Sequence, residues 1–233
     1  MIRNFAVFLL LLGLGAIFLH LLDGYVPASE LNQTARYYAE HTAQDLGAAN
    51  IVTAIIVTYR GLDTLGEVTV LFLASTIIGM VLAQGSKRQR ALQRKLPASG
   101  ELLTTGSRLL VPLILLFGAY VFVNGHLTPG GGFQGGAIIA SAALLVLLTD
   151  PLKRFSHKLI ALVESISGLV FVGVGVLGML LAGGFLDNRI LPTGEFGALF
   201  SAGAIPLIYS FVGLKVGAEF TSMLTNLAET EKS

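Results

Sequence analysis

The chain alternates long apolar runs with short polar intervals, and seven of the runs approach or exceed the roughly 20 residues a helix needs to cross the hydrocarbon layer. They are Phe5 to Leu22, Ala43 to Tyr59, Leu65 to Ala83, Leu109 to Val123, Phe133 to Leu148, Leu159 to Leu186 and Phe196 to Leu224. The pattern predicts an all-α integral membrane protein with about seven transmembrane helices. The polar interval Gly85 to Gly106 divides them three and four, so the expected organisation is a three-helix module over residues 1–84, a linker over 85–106 and a four-helix module over 107–233. Three helices cannot mirror four, so the inverted repeat of many secondary carriers is missing, which argues against a self-contained transporter. The other long polar interval, Asp23 to Thr42, reads as a loop with a short interfacial helix that sets Tyr37 and Tyr38 at headgroup level. Phe5 to Leu22 continues into "HLLDGY" without a small-residue cleavage site, so it reads as a retained helix.

Composition agrees: 54% of residues are hydrophobic and 12% charged, outside the range of soluble domains. There is no cysteine. Thiolate metal sites and iron–sulfur ligation by this chain are therefore excluded, no cofactor is expected in it, and any redox chemistry belongs to a partner. The identity of any bound metal stays open. Net charge is only +1, but its distribution is informative. "KRQRALQRK" holds Lys87, Arg88, Arg90, Arg94 and Lys95, and "PLKRFSHK" holds Lys153, Arg154 and Lys158. Beside membrane helices such runs mark cytoplasmic loops rather than nucleic-acid patches, so no nucleic-acid partner is expected. Seven spans counted outward from those loops place the chain in the inner (cytoplasmic) membrane, with its N-terminus outside and its C-terminus in the cytoplasm.

Ionisable groups inside a bilayer are costly and are candidates for function. "YRGLDTLGE" supplies Arg60, Asp63, Thr64 and Glu67. Asp63 and Glu67 are spaced i, i+4 and share a face if a helix starts near Asp63. The plain structural alternative is a capped helix start with an Arg60–Asp63 pair. Glu67 lies a turn deeper, and no charge follows it through "VTVLFLASTIIGMVLA". Glu164 lies about one and a half turns inside the sixth run, at or just below the headgroup boundary. Lys215 and Glu219 are spaced i, i+4 and can pair, which makes them either a structural ion pair or a place on a proton path.

"GHLTPGGGFQGG", Gly125 to Gly136, joins two apolar runs. Pro129, Gly130, Gly131 and Gly132 break one helix from the next, and irregular backbone at membrane depth is tolerated where protein covers it or it faces water. A phosphate loop would follow its glycines with lysine and Ser/Thr, whereas Phe133 and Gln134 stand here. Gly132, Gly136 and Ala140 form a small-xxx-small face for close helix approach, with Gly135 beside them. His126 is the side chain of this stretch that titrates near neutrality. It reads either as a hydrogen-bonded structural histidine or as part of an ion route.

That stretch, followed by "AIIASAALLVLL" and a basic turn, resembles the B subunit of the Mrp (Mnh) multisubunit cation/proton antiporters and the equivalent subunit of membrane-bound hydrogenases, whose pattern is close to GHxxPGGGFxGG. The likeness covers about Ser107 to Leu224. "NIVTAIIVTYRGLDTLGEVTVL", Asn50 to Leu71, resembles the C-terminal part of the antiporters' large A subunit, which is a separate E subunit in the hydrogenases. Arg60, Gly61, Asp63, Thr64, Gly66 and Glu67 match that pattern, while Thr58 stands where the family carries aspartate and Tyr59 where it carries phenylalanine. The resemblance implies a fused E-type and B-type subunit. It implies as partners the large antiporter-like A and D types, the small C, E, F and G types, and membrane lipid.

Three functional readings follow. The first is a subunit of a Na⁺/H⁺ antiporter, with Glu67, Asp63 and His126 along an ion route suited to a hard cation. The second is a membrane subunit of an energy-converting hydrogenase or a related ferredoxin-driven complex with a redox arm. The third is a scaffold that holds its neighbours in register. In none of them does this chain act as an enzyme by itself.

Overall fold

The computed structural model describes the backbone of residues 2–25, 30–89, 99–150 and 155–232, and their side chains except those of residues 2, 83–89 and 229–232. The chain forms two compact units, Met1–Tyr37 and Tyr38–Ser233. Most of the basic stretches that orient the chain, residues 90–98 and 151–154, lie outside the described residues.

The first unit holds α1 (Ile2–Asp23) and the start of α2 (Gln33–Leu46). Apolar residues surround α1 on all sides and its side chains are exposed, as suits a helix whose solvent is lipid. Asn32 caps α2, its Oδ1 accepting from the Ala35 amide at 2.8 Å.

In the second unit α2 ends at Gly47, whose φ of +67° is the left-handed turn that commonly closes a helix. Asn50 then caps a short α3 (Ile51–Ala54), which runs straight into a π-helical turn over Ile55–Tyr59. Next come α4 (Gly61–Gln89), α5 (Glu101–Val123), α6 (Gly132–Thr149), α7 (His157–Leu181), a 3-10 turn at Asn188–Ile190 and α8 (Ile205–Lys232). Pro112 sits inside α5 without ending it.

Among the described residues six helices are long and apolar enough to cross a membrane: α1, α4, α5, α6, α7 and α8. The all-α architecture is as expected, but the run Ala43 to Tyr59 is not a seventh span. Gly47 and Asn50 break it, and the helical stretch from Ile51 to Tyr59 reaches only about 14 Å at 1.5 Å per residue. Two other spans are shorter than their apolar runs. α7 stops at Leu181, where Gly183 at φ +93° and Leu186 at φ +60° turn the chain, and α8 begins only at Ile205.

α8 is the hub, packed against α4, α5, α6 and α7. Buried residues make up 56% of its apolar window against 22% of those of α5 and α7, so its side chains mostly meet the rest of this chain while theirs mostly face outward. Glycine sets the closest approach. A Cβ on Gly136 would stand 2.7 Å from the Gly213 carbonyl oxygen and 2.7 Å from Val216 Cβ, and one on Gly132 would stand 2.7 Å from Val212 Cβ. In lipid, where apolar side chains gain little by leaving their solvent, such van der Waals contact between backbones holds helices together. The order of these neighbours, Gly132 by Val212 and Gly136 by Val216, shows that α6 and α8 run the same way.

Candidate functional site

The glycine loop is braced by a residue from another element. Asn50 accepts from the Val52 and Thr53 amides at 3.1 and 3.3 Å, which caps α3. Its Nδ2 donates to the Gly125 and Thr128 carbonyls at 2.9 and 3.0 Å, and its backbone N–H donates to the His126 carbonyl at 3.0 Å. The Thr53 hydroxyl donates to the same Gly125 carbonyl at 2.6 Å and accepts from the Tyr209 hydroxyl of α8 at 3.3 Å. These bonds satisfy three carbonyls of the loop, which is the condition for irregular backbone within a membrane protein. Gly125 is required because a Cβ there would stand 2.6 Å from the Tyr209 ring.

Beside this brace opens a cleft of about 310 Å³, lined by Val52, Ile56, Thr64, Glu67, Gly130, Gly132, Phe133, Gln134, Tyr209 and Val212. The fold thus brings together two sequence motifs, "LDTLGE" from α4 and "PGGGFQ" from the α5–α6 junction. Thr64 is buried, and its hydroxyl donates to the Ile56 carbonyl at 2.7 Å, one of the groups that the π turn displaces from a helical ladder. The Glu67 side chain is exposed at the cleft and acts electrostatically on Tyr209, and among the described residues no cation pairs with it. A carboxylate without a counter-charge can attract a cation or a proton. Thr58, where the resembling family carries aspartate, has a buried hydroxyl with no hydrogen-bond partner among the described residues.

A second polar cluster lies further along α8. Lys215 Nζ is 2.7 Å from Glu219 Oε1, with the Lys215 side chain 10% and that of Glu219 0% exposed. From α4, the Phe72 ring lies 5.1 Å from the ammonium and the Ser75 hydroxyl donates to the Glu219 carbonyl at 3.5 Å. Counted along α8, the two clusters are about 15 Å apart, from Tyr209 to Glu219.

The remaining candidates are placed apart from the cleft. Arg60 and Asp63 form an exposed pair at 2.6 Å, which is the structural alternative for them. His126 is completely buried, with Nε2 3.4 Å from the Ala198 carbonyl oxygen, and does not line the cleft. Burial holds its imidazole below the usual histidine value, and the Ala198, Val123 and Leu199 carbonyls only partly offset that. It is the neutral plug between the glycine loop and the 191–204 loop. Asn188, fully buried, fastens the second of these loops by donating to the Leu46 and Ala202 carbonyls, each at 2.9 Å. Next to it, burial raises the Asp187 carboxyl, but hydrogen bonds and charge from Arg189 outweigh burial and hold it below the usual carboxylate value. Among the described residues no three His, Asp or Glu side chains converge as a metal site. Sequence reasoning assigned no role to Asn50, Thr53, Tyr209 or Asn188. The signal for Asn50 was its place as an Asx residue ahead of a helix-forming run; for Tyr209, which meets its partners only across helices, there was none.

Residues 102–222, just over half of the chain, match the family model described as a domain related to the MnhB subunit of Na⁺/H⁺ antiporters. Residues 5–92 match the model for the E-type subunit of MBH, named MbhE. The B-type subunit of the Na⁺/H⁺ antiporter of Bacillus subtilis is 38% identical over 101 residues, which cover 41% of this chain and 65% of that protein. Among solved structures, a chain of the membrane-bound sulfane sulfur reductase, an archaeal respiratory membrane complex, is 39% identical with a TM-score of 0.81, covering 97% of this chain and 98% of that one. A chain of the Mrp complex from a Dietzia species is 27% identical with a TM-score of 0.77, covering 99% of this chain but only 26% of the longer one.

Proposed function

We propose that this chain, which belongs to the family related to the MnhB subunit of Na⁺/H⁺ antiporters, serves as a membrane subunit of a multisubunit cation/proton antiporter and contributes the Glu67 cleft to its ion route. The observation that carries this reading is the setting of Glu67. It lies about 9 Å inside a membrane-spanning helix and opens on a cleft walled by the glycine loop, and no cation within the described chain compensates it. A carboxylate so exposed at that depth needs water, a cation or a polar partner surface against it. The ion route is therefore shared with a neighbouring subunit, with Thr64, Gln134 and Tyr209 as the other polar groups this chain supplies. His126, Asn50 and Asn188 hold the loops that shape the cleft.

The two family matches, at 5–92 and 102–222, support a chain made of an E-type module over 1–84 and a B-type module over 107–233, joined by the basic linker. Its partners are the other Mrp-type subunits, the large A and D types and the small C, F and G types. With the six spans found among the described residues and cytoplasmic basic loops, an even count puts both termini on the cytoplasmic side of the inner membrane. The odd count of seven would put the first end outside. The chain carries no cofactor of its own, and any iron–sulfur centre sits in a partner.

One observation favours a second reading, the membrane arm of a redox-driven complex. The whole two-module chain aligns end to end with one chain of an archaeal respiratory complex, while in the Dietzia Mrp complex its counterpart is a quarter of a longer chain. Gentle purification of the tagged chain, with its companions identified by mass spectrometry and its iron measured, separates the two. Antiporter-type subunits without iron support the antiporter; a stoichiometric iron–sulfur protein moves the chain to the redox complex.

A further inference from the structure

The Lys215–Glu219 pair is buried within α8, yet its charges do not balance once the neighbouring helix is included. A single turn of α7 puts Gly168 against the lysine, where a Cβ would stand 3.6 Å from Lys215 Nζ, so this glycine leaves room for the ammonium. Glu164, one turn earlier on the same face of α7, is close enough to act electrostatically on the Glu219 carboxylate. The Glu219 carboxylate thus faces one ammonium and the field of a second carboxylate. Glu219 is fully buried, and its Oε2 has no hydrogen-bond partner among the described residues. Among the described residues the other elements packed on α8 bring no compensating charge to this level. Phe72 and Ser75 are what α4 presents, and α6 has no titratable side chain between Gly132 and Thr149. On α5 the ionisable groups are Glu101, Arg108 and Tyr120, of which Arg108 borders a separate cleft with Thr149 and Asp150 at the end of α6. His157 and Lys158 begin α7, more than a turn before Glu164.

We propose that Lys215, Glu219 and Glu164 form a proton-exchange site, in which Lys215 is the shared counter-cation of two carboxylates and the trio binds one proton at Glu219. With all three ionised the cluster carries a net charge of −1 in a medium that tolerates charge poorly. A hydronium ion gives up one O–H bond and leaves as water while Glu219 Oε2 gains an O–H bond, and Lys215, still an ammonium, turns from Glu219 to Glu164. Release runs in reverse, so lysine position and proton occupancy are coupled. The flexible four-carbon stem of lysine suits that exchange, and Gly168 gives it space. The use of this site in transport rests on the antiporter reading; proton binding does not.

The test is infrared difference spectroscopy of the intact complex in lipid after a pH jump. The wild type should show a protonated-carboxyl band that disappears in Glu219→Gln. Glu164→Gln removes the competing negative charge and should require a higher proton concentration for the same uptake. Should Glu219→Gln fail to assemble, the paired variant Lys215→Met/Glu219→Gln removes both charges of the buried pair, keeps only the partly buried Glu164, and must also lack the band. A band unchanged in either Glu219 variant, or uptake unchanged in Glu164→Gln, overturns the proposal. Glu67→Gln serves as the separating control: it should keep the band, and its effect on Na⁺-dependent transport reports on the antiporter reading alone.

Discussion

Removing the Asn50 side chain should loosen the glycine loop from α3, leaving the Asn50 amide and Thr53 hydroxyl bonds in place, and the cost can be worked bond by bond. Asn50→Ala loses the helix cap, about 1 kcal/mol. It also loses two donations, to Gly125 and Thr128. A net hydrogen bond is worth about 0.5–1.5 kcal/mol. Gly125 should fall at the low end because Thr53 still donates to it, and Thr128 at the high end. The sum is about 2–4 kcal/mol, or on the order of 5–15 °C in melting temperature for a chain of this size. Substituting the acceptor and donor functions separately sharpens the test. Asn50→Ser keeps a cap and should lose least. Asn50→Asp keeps the cap but points a carboxylate oxygen at two carbonyls, so it should be the worst despite its near-identical shape. Thermal unfolding of the assembled complex in nanodiscs, with hydrogen exchange of residues 124–131, reads all three. An Asn50→Ala complex that melts with the wild type, or an Asn50→Asp complex at least as stable as Asn50→Ser, would refute the assignment of Asn50 as the brace.

Other predictions follow from the packing and the charges. Gly136→Val forces a side chain to within 2.7 Å of the Gly213 carbonyl oxygen, a backbone atom that cannot swing away, and should cost about 1–3 kcal/mol, measured as loss of assembled complex. Gly173→Ala, with open space around its Cβ, is the control and should stay within about 0.5 kcal/mol. His126 is held neutral by burial, so its contribution to stability is present above the unfolded value of about 6.5 and is lost as pH falls from there through the lower folded value. Melting temperature should therefore drop on mild acidification, and His126→Gln should flatten that dependence; an equal slope in both proteins would show that another group titrates. Lys215→Met leaves Glu219 buried without its counter-charge and should destabilise by about 3–5 kcal/mol, Glu219→Gln should cost less because Glu164 still faces the lysine, and the double variant should cost less than the sum of the two, which a double-mutant cycle on unfolding measures.

Much of this architecture is written along one strand of sequence, because a bilayer demands runs of fixed length and a tight helix junction demands glycine. The helices, the break at Pro129–Gly132 and the small-residue face of α6 follow from those demands. The run Ala43 to Tyr59 misled because hydropathy does not register a helix stop. Gly47 and Asn50 are two residues among many apolar ones, yet they end α2 and cap α3. The site was half legible. Glu67 and the glycine loop each stood out, but their convergence on one cleft depends on α4 and α6 both running alongside α8, which no spacing within either motif encodes. The Lys215–Glu219 pair was readable as i, i+4, whereas the approach of Glu164 depends on which face α7 turns to α8. Tyr209 looked like one more aromatic of an apolar helix until Thr53 met its hydroxyl.

Na⁺-dependent proton movement by the purified complex in proteoliposomes, wild type against Glu67→Gln, tests the central claim most directly. The account predicts a Glu67→Gln complex that assembles with its full set of subunits and loses sodium-dependent antiport. Wild-type antiport in an assembled Glu67→Gln complex would contradict it, and would leave the cleft a structural seam between neighbouring chains.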